Sequence, residues 1–245
     1  MERELAFKAL VGSANYNLST AESDKDYKVF VLPTFNDLYH GKLYKESKFN
    51  ESFDEDYHDI RKLSSLFWKS NVNFVEVLFS TNITINESDL IKESLENIFA
   101  MKDEIAAMNL PYLYQACKGM YFSKAKYIEK GNKGTHYLIE KYGYDTKSAM
   151  HAFRIMDFIE RFAENGFTDF KGAMQYDDKG RNSMLVIKNG EYTKDEYFTL
   201  VEEKMTTFEQ LENVYNCQPV REDIKYALEN IIYQLVFKKI CNERC

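Results

Sequence analysis

Asp24 and Asp26 are separated by one lysine and lead into the run Tyr27 to Leu32, whose β-branched and aromatic residues read as a strand closed by Pro33. The two-residue period of a strand sends both carboxylates to the same face. Two like charges so close raise each other's pKa unless a cation neutralises them, so the pair suits a shared divalent ion. Hard oxygen donors select magnesium or manganese over zinc. Taken alone, Asp-Lys-Asp reads more often as a solvated turn than as a metal site. Upstream, Gly12-Ser13 ends another strand-like run, Leu5 to Val11. A glycine there lets backbone approach a ligand closely, and exposed amides with the Ser13 hydroxyl can hold phosphate oxygens. A third carboxylate, Glu76, lies in the apolar segment Asn73 to Ser80, which also reads as a strand. Buried there, an ionised carboxylate needs a metal or a base beside it; on an edge strand it would simply face water.

A second constellation sits on a helix expected over Asp145 to Ala163, capped by Asp145 or Thr146 and ended near Gly166. Lys147, His151 and Arg154 fall at i, i+4 and i+7, hence on one face. Such a row suits a triphosphate or an acceptor phosphate; otherwise it is a polar helix face with a core histidine. Phe158 continues the face while Met150, Phe153 and Met156 point elsewhere, which predicts a helix packed nearly all round.

The elements that position these residues divide the chain. Up to about residue 80 the order is strand, turn, strand, excursion, helix over Asp59 to Asn71, and strand. Asp37 to Asp56, acidic and aromatic, reads as a loop or insertion. Beyond it, helices are expected over Asp89 to Met108, Tyr112 to Lys130, Asp145 to Ala163 and Thr193 to Tyr215, the last opening on a Thr193/Glu196 capping box. A final helix after Pro219 carries Ile224, Ala227, Leu228, Ile231, Leu235 and Val236 on a core stripe. The composition shift at Asn109-Pro111 predicts an α+β domain over 1–108 and a helical domain over 109–245.

Bulk properties exclude several classes. With 245 residues, 44% of them hydrophobic, the chain can bury a core, and three prolines with ten glycines argue against low complexity. A net charge of −7 disfavours a broad grip on duplex DNA. One local exception is Lys118 to Lys133, where Lys118, Lys124, Lys126, Lys130 and Lys133 face a single acid, Glu129, with aromatics interleaved; it is a solvated helix face or a polyphosphate or RNA contact. The cysteines Cys117, Cys217, Cys241 and Cys245 lack metal-ligand or disulfide spacing and read as free thiols. No signal core or membrane span is evident, so a soluble cytoplasmic protein without membrane partners is expected.

The pattern Gly12-Ser13, then Asp24-x-Asp26, then a later carboxylate resembles the signature of the DNA polymerase beta nucleotidyltransferase superfamily. More closely, GSANYNLSTAESDKDYKVFVLP, NFVEVLFS and YGYDTKSAMHAFRIMDF are similar to a family of predicted nucleotidyltransferases of bacteria and their phages. The likeness extends through IKNGEYTKDEYFTLVEE and the last helix. It implies an α+β fold, a small mixed twisted sheet of the nucleotidyltransferase type followed by an all-helical C-terminal region that closes the cleft. It also implies transfer of a nucleoside monophosphate from an NTP, with pyrophosphate released, to a small molecule, an RNA end or a protein hydroxyl. In that reading Gly12 and Ser13 bind the triphosphate, Asp24 and Asp26 hold one or two Mg²⁺ (or Mn²⁺) ions, and Glu76 is a further metal ligand or the base. Lys147, His151 and Arg154 then face the nucleotide or acceptor. Alternatives are a non-catalytic nucleotide- or RNA-binding protein of the same fold, or a toxin that modifies a host target. The chain departs from the family in having Tyr16-Asn17-Leu18 where Tyr-Gly-Leu is usual. Asn tolerates positive φ best after glycine, so the turn is expected to survive.

Overall fold

The computed structural model describes residues 3–21, 23–50 and 53–242. Residues cluster into two compact units, Met1–Asn109 with Val220–Cys245, and Leu110–Pro219. The last helix differs from expectation: instead of joining the helical region it packs among the helices of the first unit.

In the first unit, strands β1 (Leu5–Val11), β2 (Lys25–Val31), β3 (Lys45–Phe49), β4 (Phe53–Asp59) and β5 (Ile83–Ile85) form a mixed sheet in the order β3-β4-β2-β1-β5. β1 runs antiparallel to β2 and β5, β3 antiparallel to β4, and β2 parallel to β4. Phe7 and Phe30 are register partners and stack at 4.7 Å, with Phe99 edge-on to Phe7 at 5.7 Å. That face is therefore the core face of the sheet. The stretch from Asp37 to Asp56, expected as a loop, instead supplies most of a helix α1 (Phe35–Tyr39), all of β3 and the start of β4. Every residue of β3 is exposed, so this edge strand carries no apolar alternation by which to recognise it. Thr34 and Asp37 form the capping box of α1, and Asp37 also takes the fork of Arg3 at 2.7 and 2.9 Å.

Helices α2 (Leu63–Trp68) and α3 (Val72–Val75) follow β4. The segment Asn73 to Ser80 is helical rather than a strand. Asn71 caps α3 by accepting from the Asn73 N–H at 3.0 Å, and a 3-10 turn continues over Glu76–Phe79. Val75, Val77, Leu78 and Phe79 are all buried, and a short apolar run buried on every side has no period that separates helix from strand. α4 (Asp89–Ala100) and α5 (Lys102–Ala107) replace the single expected helix, breaking at Met101.

The second unit holds α6 (Leu110–Ile128), α7 (His136–Tyr142), α8 (Thr146–Glu164), α9 (Phe170–Met174), α10 (Asp178–Lys188) and α11 (Lys194–Asn216). α8 is its hub, packed against α6, α9, α10 and α11. Four fully buried tyrosines reach backbone carbonyls with their hydroxyls, among them Tyr197 to Ala149 at 3.0 Å and Tyr215 to Ile159 at 2.8 Å. Such phenols add apolar area without leaving a polar atom unpaired. α11 opens on the Thr193/Glu196 capping box, as expected.

α12 (Glu222–Asn242) returns to the first unit, where the Arg221 N–H donates to the Met108 carbonyl at 2.8 Å and Lys225 lies over the Trp68 ring. Its buried stripe is Ile224, Leu228, Ile232, Leu235 and Val236. Cys117, Cys217 and Cys241 are free thiols, and Cys245 lies outside the described residues. No helix among the described residues is long and apolar enough to cross a membrane.

Candidate functional site

β1 ends at the glycine turn. Gly12 opens a 3-10 turn over Gly12–Ala14 with φ +69°, a conformation that disfavours any side chain. A Cβ on Gly12 would lie 2.5 Å from the Asp26 Oδ2. The turn and the Asp26 carboxylate are therefore in direct apposition, as the cross-strand pairing of Val11 with Asp26 requires. Ser13 is half-buried in the same turn. Farther along, Asn17 takes φ +62°, a left-handed conformation that Asn tolerates better than most residues.

Glu76 holds this turn from behind. Its carboxylate, 2% exposed, accepts from the Gly12 N–H at 3.1 Å and from the Asn15 Nδ2 at 3.3 Å. Asn15 is itself buried and accepts from the Thr81 N–H at 3.0 Å. Sequence reasoning asked for a metal or a basic group beside a buried Glu76; the donors to its carboxylate include the Gly12 N–H and the Asn15 amide, and Glu76 stands on a helical turn and not on a strand.

Asp26 is half-buried within β2, and Asp24 is exposed just before it. A residue that sequence reading passed over joins them. In the parallel β2/β4 register, Asp26 pairs with Asp54, Lys28 with Asp56, and Phe30 with His58. Rings of Phe30 and His58 lie 5.6 Å apart, and the Lys28 Nζ lies 3.8 Å from the Asp56 carboxylate, so these pairs share one face. The period of two then puts Asp26 and Asp54 together on that face, on strands about 4.8 Å apart. Asp56 is engaged by Lys28 and by the Ser47 hydroxyl, whereas no ion pair holds Asp54 among the described residues. The signal available in the sequence was the Asp54-x-Asp56 spacing, which repeats Asp24-x-Asp26 but was hidden in an acidic stretch taken for a loop.

Deeper on the same face, His58 is 5% exposed between Phe30 and Phe74. Burial, with Lys28 nearby, pushes its pKa down to about 4, so the imidazole is neutral at pH 7. Among the described residues, no three His, Cys, Asp or Glu side chains stand close enough together to hold a metal ion. The donor set is nonetheless of the kind magnesium takes, because this ion binds through one or two carboxylates and completes its shell with water and substrate phosphate.

In the helical unit, Asp145 caps α8 through the Ser148 N–H at 2.9 Å. Lys147 is exposed, His151 half-buried and Arg154 7% exposed, so the row runs from solvent into the packed interior of the helix bundle. Phe158 and Met156 are buried as the all-round packing expectation requires.

The model of the RNA repair pathway DNA polymerase beta family (RlaP) matches residues 2–236. No curated protein matches the chain.

Proposed function

The chain belongs to the RNA repair pathway DNA polymerase beta family, a polymerase beta-like nucleotidyltransferase family, and from that premise we propose that it transfers a nucleoside monophosphate from an NTP to an RNA end. The family's description favours an RNA acceptor over the small molecule or protein hydroxyl that the sequence leaves equally open. The observation that carries the reading is the pairing of Asp26 with Asp54 beside the Gly12 turn.

In this proposal the Gly12-Ser13 turn receives the triphosphate, its amides and the Ser13 hydroxyl donating to phosphate oxygens. Asp26, with Asp54 or Asp24 as a second carboxylate, would hold Mg²⁺ or Mn²⁺, which when bound neutralises charge on the α-phosphate and acidifies the attacking hydroxyl. The acceptor oxygen forms a bond to the α-phosphorus, the bond to the bridging oxygen of the β-phosphate breaks, and pyrophosphate leaves. The hydroxyl proton passes to an aspartate carboxylate or to water. Glu76, expected as metal ligand or base, is here a positioning residue: its oxygens keep the Gly12 amide aligned and the turn pressed against Asp26. Positioning and charge neutralisation are most of what phosphoryl transfer asks of a protein.

The test is pyrophosphate release with each α-labelled NTP, with RNA, protein or neither added, followed by locating the label. Label on RNA ends with Mg²⁺ present is the expected result. Label on protein or on a small molecule would reassign the acceptor, and no release under any condition would defeat the proposal.

A further inference from the structure

The paired carboxylates stand between two different neighbours. Across the sheet Val11 pairs with Asp26, Asp26 with Asp54, and Asp54 with Phe49. Gly12 follows Val11 on one flank, and Phe49 stands on the other, on the edge strand β3. Cross-strand partners point to the same face of a sheet, and side-chain contacts fix which face this is. The hydroxyl of Ser47, two residues before Phe49, reaches the Asp56 carboxylate at 2.5 Å, and Lys28, two residues after Asp26, lies 3.8 Å from the same carboxylate. Lys48 is on the opposite face, 4.4 Å over the Tyr57 ring. Strand alternation therefore gives Phe49 the face of Asp54 and Asp26, with its Cα two strand spacings, about 10 Å, from that of Asp26.

Packing does not account for this ring. Phe49 is 75% exposed. On the opposite face Tyr27 and Tyr57 are half-buried, with Lys8 and Lys48 over their rings at 4.0 and 4.4 Å. No ring or cation covers Phe49 among the described residues. One exposed aromatic is ordinary on a protein surface, but this one is the cross-strand partner of a carboxylate assigned to the reaction.

In-line displacement at phosphorus puts the attacking oxygen opposite the leaving group. With the triphosphate on the Gly12-Ser13 turn, pyrophosphate leaves on the β1 side, so the attacking hydroxyl arrives from the β3 side. A ring there meets the nucleoside that carries this hydroxyl. We infer that Phe49 is the stacking platform for the terminal base of the acceptor RNA and holds a 3′-hydroxyl end beside Asp54. The inference rests on the nucleotidyl-transfer reading, to which it adds the acceptor subsite. Every base has a π-face, so such a platform takes RNA ends of any sequence.

Two measurements on the full chain test it. In the first, a single-stranded oligoribonucleotide ending in a 3′-terminal 2-aminopurine is titrated with protein and Mg²⁺, without NTP. Stacking quenches the fluorescence of this base, so quenching is expected with the wild type and with Phe49→Tyr, and its loss with Phe49→Ala at equal bound fraction. In the second, label transfer is followed against RNA concentration. Phe49→Ala should raise the KM for RNA by about 5- to 150-fold, the range of one base–aromatic stack, with the KM for NTP and the melting temperature unchanged, and Phe49→Tyr should restore it. An oligonucleotide ending in an abasic ribose, which keeps the hydroxyl, should cost the wild type the same factor and cost Phe49→Ala nothing further. Absence of quenching with the wild type, a wild-type KM for RNA in Phe49→Ala, a rise in the KM for NTP instead, or a further loss by Phe49→Ala on the abasic acceptor would overturn the inference. Label transfer to RNA alongside any of these results sinks the subsite alone. Quenching that depends on Phe49, without any label transfer, supports the subsite and counts against the transfer reading.

Discussion

Substituting Gly12 by alanine should damage activity far more than it damages the fold, and Gly41 supplies the control. Both glycines have positive φ, +69° and +60°, so an alanine at either is expected to cost roughly 1–2 kcal/mol from left-handed backbone alone. Nothing lies within 4 Å of a Cβ at Gly41, whereas at Gly12 the new methyl would sit 2.5 Å from the Asp26 Oδ2. Real carbon and oxygen atoms do not approach so closely, so the Asp26 carboxylate or the turn must move. A displacement on the order of 1 Å of a positioned catalytic group costs about 10² in rate. Thermal melts should therefore show Gly41→Ala lowered by roughly 2–8 °C at about 2–4 °C per kcal/mol, with turnover intact. Gly12→Ala should fall by at least as much and lose about 10² in kcat/KM, measured as label transfer per folded molecule. Equal activity in the two variants would refute the claim that the turn and Asp26 act as one unit.

Glu76→Gln tests the positioning role. Hydrogen bonds to a charged group contribute about 1.5–3 kcal/mol each, so a loss of stability on the order of 1–3 kcal/mol is expected in denaturant melts, with the Mg²⁺ concentration for half-maximal turnover unchanged; a large rise in that concentration would make Glu76 a metal ligand instead. His58 should give the first unit a pH dependence. Its folded-state pKa, about 4, lies below the ordinary 6.5, so the unfolded chain binds a proton that the folded chain refuses. Stability is then lost as pH falls from about 6.5 to about 4, by up to about 3 kcal/mol at 1.36 kcal/mol per pH unit. His58→Phe, a ring of similar shape between Phe30 and Phe74, should flatten that slope; denaturation midpoints at pH 4 and pH 7 that shift equally in wild type and variant would contradict it.

Long periodic elements were legible in the chain itself. The strand Leu5–Val11 and the helices around α6, α8 and α11 match the expected ranges within two or three residues, and the Thr193/Glu196 and Asp145 caps operate as their residue types imply. What escaped was set by tertiary context. β3 is an exposed edge strand without apolar alternation, and β4 carries acids on both faces, so neither showed a strand period. The Val75 to Phe79 run within the Asn73 to Ser80 segment is buried throughout, where period disappears and propensity misleads. For the same reason the site was only half legible. Asp24, Asp26 and the glycine turn follow from local spacing, but the partnership of Asp26 with Asp54 exists only through a parallel pairing across an intervening hairpin strand. Similarly, Asn17 could be expected at positive φ from its residue type, while the engagement of Glu76 by the Gly12 amide, 64 residues away, could not.

The most direct test of the account measures Mg²⁺-dependent transfer of α-labelled nucleotide to RNA by Asp26→Asn, Asp54→Asn and Asp56→Asn, each checked for an unchanged melting temperature. Asn preserves shape and removes the charge. If Asp26 and Asp54 together face the reacting phosphate, both variants should lose about 10² or more in rate at saturating Mg²⁺, the scale of removing one preorganised electrostatic group. Asp56, already engaged by Lys28 and Ser47, should tolerate the change with little loss. Full activity in Asp54→Asn, or a loss in Asp56→Asn as deep as in Asp26→Asn, would contradict the assignment of the paired carboxylates as the catalytic centre.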